Sequence, residues 1–160
     1  MGDCSNATVT VLKEQAQKAK EVVIDSYEEE FIQKIKLPDD TPITLTVFSY
    51  YEVKHGELFI RDLTLAGIPY THEWDAGDTY PGGQRSSRYT PEGESVVKTI
   101  TENDWYFHYH QLLPLIDNPT AIKELILKKK EELEILPWLN QVEYGKRYLT
   151  KQLINVKEAT

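Results

Sequence analysis

The apolar pattern of this chain changes period twice, and that limits the folds open to it. Between Val9 and Lys36, Leu12, Ala16, Ala19, Val23, Tyr27 and Phe31 step by three or four residues. That spacing is one stripe of a helix. Lys, Glu and Gln fill the positions between, and Glu28, Glu29 and Glu30 extend a solvated face. Leu37-Pro38-Asp39-Asp40 stops the helix.

From Ile43 the period falls to two. Ile43, Leu45 and Val47 alternate with Thr44, Thr46 and Phe48, and Tyr50, Tyr51 and Val53 follow. A turn over Lys54 to Glu57 and a return run Leu58 to Leu65 predict a hairpin. Gly67 marks a bulge or bend before a third strand near Tyr70 to Trp74. Ser95 to Thr101 predicts another strand, and Trp105 to His110 an aromatic one after a turn at Glu102-Asn103-Asp104.

Helical spacing then returns. Asn118 suits a cap and Pro119 the first helical position. Ile122, Leu125, Ile126, Leu133 and Leu136 form one stripe, ended by Pro137. Leu139, Val142, Leu149, Leu153 and Val156 form a second, weakened at Gly145. Segregated strands and helices predict an α+β fold. It has a long N-terminal helix, an antiparallel sheet of about five strands and two C-terminal helices.

With 160 residues, a single domain over 9–157 follows a flexible N-terminus over 1–8. No apolar run approaches the roughly 18 residues of a membrane span, so no membrane is expected. Gly2 after Met1 half-matches an acylation signal, but Asn6 stands where Ser or Thr is wanted. The single cysteine, Cys4, excludes an internal disulfide and fits a reducing, cytoplasmic setting. A net charge of −8 argues against nucleic-acid binding by bulk charge and suits a basic partner.

Three features carry candidate chemistry. Tyr outnumbers Phe by 10 to 4, and Tyr and Trp cluster in the predicted sheet and its loop. Such side chains, apolar with a polar tip, suit recognition surfaces. The Gly- and Pro-rich stretch 76–94 is long for a loop and holds Arg85 and Arg88, which can grip an anionic group. Its spacing is not that of a phosphate-binding loop. Binding is therefore expected through Trp74, Tyr80, Arg85, Arg88, Tyr89, Trp105 and Tyr109. In a strand, His108 and His110 would share a face and one divalent metal ion, with His72, Glu73, Asp75 or Asp78 as third ligand. His-x-His alone lacks discriminating spacing, so no cofactor is the default. Asp62, Glu73, Asp75, Asp78, Glu102 and Asp104 are better explained as turn and strand-end residues than as a catalytic pair. No nucleophile elbow, dinucleotide fingerprint, calcium loop or zinc ribbon is present.

The leading expectation is a small acidic intracellular binding protein of inhibitor, immunity or adaptor type. It would hold a protein partner or an anionic small ligand on an aromatic sheet face and the 76–94 loop. A metal-dependent hydrolase or lyase using His108 and His110 is the first alternative. An oligomeric structural subunit, paired through the C-terminal helices or a sheet edge, is the second.

Overall fold

Thr8, Val9, Thr10 and Val11 are β-branched and favour extended backbone. The computed structural model of the chain places them in the first strand, β1 (Cys4–Leu12). It describes residues 4–22, 27–53 and 57–158, without the side chains of 4–5, 51–53, 57–60 and 158. The expected N-terminal helix is corrected; of the start expected to be flexible over 1–8, residues 4–8 lie in β1 and residues 1–3 lie outside the described residues. The chain runs through β1, a 3-10 turn Lys13–Gln15, α1 (Ala16–Val22) and β2 (Glu29–Lys36). Ala16 and Ala19 are a true helical stripe and both are buried. Leu12 and Phe31 kept its spacing although they lie on strands.

The remaining elements are β3 (Pro42–Val53), α2 (Glu57–Leu65), β4 (Tyr70–Trp74), β5 (Gly83–Tyr89), β6 (Ser95–Thr101), α3 (Tyr109–Leu112), α4 (Pro119–Leu133) and α5 (Gln141–Glu158). The fold is α+β, with one antiparallel sheet of six strands in the order β2-β3-β1-β4-β5-β6 among the described residues.

Three further expectations are corrected. The return strand over Leu58 to Leu65 is the helix α2; of its turn, residues 54–56 lie outside the described residues. Leu63 and Ala66, three apart, both reach the core. Gly67, at φ 70°, ends this helix rather than bending a sheet. The Ile68 N–H bonds Leu63 O at 3.0 Å and the Gly67 N–H bonds Thr64 O at 3.1 Å, the paired bonds of a Schellman cap. The loop over 76–94 contains β5. The aromatic strand over Trp105 to His110 is absent; a 3-10 turn (Glu102–Trp105) and α3 take its place. The strands at Tyr70–Trp74 and Ser95–Thr101 stand as expected. So does the cap of α4, where the Ala121 N–H donates to Asn118 Oδ1 at 3.1 Å.

Register divides the side chains between two faces, because paired residues share a face. One face carries Ala7, Val9, Val11, Phe48, Tyr50, Tyr70, His72, Trp74, Arg85 and Tyr89. The main core lies here, closed by Ala16 and Ala19 of α1 and Leu63 of α2. The other carries Thr10, Leu45, Val47, Thr71, Ser86, Arg88 and Ile100. The edge strand β2 exposes Phe31 and Ile32 among Glu29, Glu30, Gln33, Lys34 and Lys36. Charges of that density discourage pairing with another strand.

The chain wraps the end of β5. Trp138 covers Arg88 on one face, and Tyr148 of α5 meets Tyr89 on the other, ring centroids 5.1 Å apart. Between them the buried Gln141 carboxamide takes the Tyr89 N–H at 2.7 Å and donates to Tyr89 O at 3.0 Å. β4 and β5 pair no further than Tyr70 and Ser87, so Gln141 extends the ladder with a side chain. The approach of α5 depends on Gly145, where a Cβ would collide with Gly67 O. Gly145→Ala is therefore expected to destabilise by about 1–3 kcal/mol through overpacking, despite a gain in helix propensity. A urea midpoint equal to or above that of the parent protein would contradict this.

Candidate functional site

The sheet brings part of the expected site together, but inside the protein. His72 is 2% exposed and lies between Tyr50, at 6.2 Å and stacked, and Trp74, at 5.2 Å. Arg85 is paired across the ladder with His72. The loop after β4 folds onto this group. Trp74 Nε1 donates to Pro81 O at 3.0 Å, and the Tyr80 ring fills the space a Cβ would need at Gly77. The partly buried Tyr80 thus holds its own loop. Tyr89 is fully buried, and its hydroxyl donates to Thr64 O at 2.9 Å. Burial pushes its phenol well above the usual range.

Arg88 points the opposite way from Arg85, since it is three residues on in a strand. It is 3% exposed and, among the described residues, has no carboxylate partner. Its guanidinium donates to Tyr70 O, to Ser87 O at 2.9 Å and to Thr71 Oγ1 at 2.8 Å, and stacks on Trp138 at 3.6 Å. Burial lowers its pKa to about 9, which still leaves it charged at neutral pH. Carbonyl dipoles and the indole face stand in for a counter-ion. The expected two-arginine grip on an external anion is corrected: the two side chains lie on opposite faces, and Arg88 is consumed in packing.

The exposed members of the expected site are Trp105 and Tyr109, at 61% and 78%. They belong to the chain between β6 and α4. Thr101 starts this segment by donating its N–H and hydroxyl to Asp104 Oδ2, at 2.8 and 2.9 Å. The turn throws Trp105 outward. Gln111 then accepts the His108 N–H at 3.0 Å and starts α3. Tyr106, Leu113 and Ile116 are exposed with Trp105 and Tyr109, as are Ile126 and Leu127 of α4. No residue of α4 is buried. Between Trp105, Phe107, Ile126 and Leu133 runs an open groove of about 370 Å³, with Lys129 and Lys130 at its rim. Tyr106, Leu113, Ile116 and Leu127 were not among the expected site residues. The Thr-x-x-Asp signature at Thr101 to Asp104 is the signal that would have exposed them, because it starts a helical turn rather than a strand.

His108 and His110 do meet, with rings stacked at 5.3 Å, although no strand aligns them. The expected third ligand is not delivered to them. His72 is buried in the sheet, and among the described residues no group of three or more His, Cys, Asp or Glu side chains is placed to hold a metal ion.

The hydrogen bonds from Thr101 hold the Asp104 carboxyl below its usual value of 3.8. A lowered folded-state pKa means that this cap contributes at all pH above the unfolded value and is lost as pH falls through the folded one. The Trp105 indole resonance is expected to shift in that acid range, and not in Asp104→Asn. Identical titration in both proteins would contradict the cap. Comparison of the chain with protein-family models, curated proteins and solved structures finds no match.

Proposed function

We propose that the chain is a protein-binding module whose recognition surface is Trp105, Tyr106, Tyr109, Leu113, Ile116 and the outer side of α4. One observation carries this: seven large apolar or aromatic side chains stand exposed on the segment from residue 105 to residue 127. Exposed large apolar side chains concentrated on one stretch of chain mark interaction surfaces, and Trp and Tyr are the residues that anchor interfaces. A helix of 15 residues with nothing buried also gains little from packing, and isolated helices of that length are marginal in water. A partner on its outer side would supply the missing contact. The leading expectation therefore moves from the sheet face to the segment that follows the sheet. The net charge of −8 favours encounter with a basic partner.

The test is a photo-crosslinking residue at Tyr106, with a control at the exposed Glu92, in cells that produce the protein. The expected result is a discrete heteromeric adduct at position 106 only, lost in Trp105→Ser/Tyr109→Ser and retained in His108→Gln/His110→Gln. An adduct of twice the chain mass would replace this proposal with the oligomeric subunit. No adduct, or equal adducts at both positions, would sink it. Loss in the histidine variant would return attention to metal chemistry.

A further inference from the structure

A second cleft, of about 780 Å³, opens between the start of β3 and the first turn of α5, away from the Trp105 surface. Its volume is in the range of small-molecule sites, roughly 300–1,000 Å³. We propose that it binds a small amphipathic anion, an apolar body carrying one negatively charged group.

The apolar part of the lining is Leu12, Ile43, Trp138 and Leu139. Trp138 is held rigid by the Arg88 guanidinium stacked at 3.6 Å, so it is a prepared wall. The charged part decides the sign of the ligand. Lys13 and Lys146 line the cleft, and among the described residues neither ammonium has a hydrogen-bond or ion-pair partner. Of the carboxylates there, Glu143 is already engaged by Arg147, which leaves Glu14 alone against two uncommitted cations. Val142 and Glu143, in the first turn of the 18-residue α5, also line it, and their N–H groups meet no acceptor among the described residues. Asn140 does not cap them; its side-chain amide donates to the Tyr144 hydroxyl at 3.4 Å. Open N–H groups and the positive end of the helix add to the preference for negative charge. A long-range field from a net charge of −8 repels anions, so any anion held here is held by local contacts.

The experiment titrates the ¹⁵N-labelled protein with decanoate, decanol and decyltrimethylammonium. Decanoate is expected to give saturable shifts at the Val142 and Glu143 amides and the Trp138 indole, and to bind more tightly than the other two. Lys13 and Lys146 are exposed, so Lys13→Gln/Lys146→Gln keeps the fold, seen as an otherwise unchanged spectrum. It should weaken decanoate by about tenfold and leave decanol unchanged. The proposal is overturned if decanoate shifts nothing at the cleft or shifts Trp105 instead. It is also overturned if decanol or the cation binds as tightly, or if the double variant binds decanoate as well as the parent. The Trp105→Ser/Tyr109→Ser variant should bind decanoate normally, which separates this cleft from the protein-binding surface.

Discussion

The last three residues of β5, Ser87, Arg88 and Tyr89, are where the separate parts of the protein are joined. Tyr89 bonds α2 through its hydroxyl, meets α5 through its ring and receives Gln141 on its backbone. Arg88 ties β4 to the segment before α5 through Tyr70, Thr71 and Trp138. This junction is polar, and that makes it demanding. Removing one member leaves a buried partner without its hydrogen bond, which costs more than the bond itself is worth. α5 and the segment before it are held to the sheet by hydrogen bonds and one stacked cation as well as by ring contact.

That choice of chemistry explains how much of the fold was legible. Tyr70–Trp74, Ser95–Thr101 and the Asn118-Pro119 helix start follow from local rules, and all three stand. β5 escaped because Gln84, Arg85, Ser86, Ser87 and Arg88 look like loop residues. Ser86, Ser87 and Arg88 are buried all the same, and the bonds that satisfy Ser87 and Arg88 reach residues far along the chain, which no local pattern displays. α2 escaped because Leu58, Phe59, Ile60 and Leu63 fit either period, and Gly67 serves as a cap or a bend equally well. The N-terminal segment misled for the opposite reason. One helical spacing ran on across a strand, a short helix and another strand.

The candidate site was legible in composition and not in placement. The richness in Tyr and Trp is real, but the fold divides it into an inward set around His72 and an outward set from Trp105 to Tyr109. The two arginines were separated by strand alternation, one on each face.

The position of β1 has a consequence for the order of events during folding. The strand lies in the middle of the sheet, between β3 and β4, although it comes first along the chain. Its pairing with β4 joins Val9 to His72 and Ala7 to Trp74. On a ribosome adding residues one at a time, this strand waits with one side unpaired while most of the next seventy residues emerge. Such non-local pairing slows folding and leaves apolar strand exposed meanwhile. The alternation of Thr8 and Thr10 with Val9 and Val11 keeps one side of the waiting strand polar.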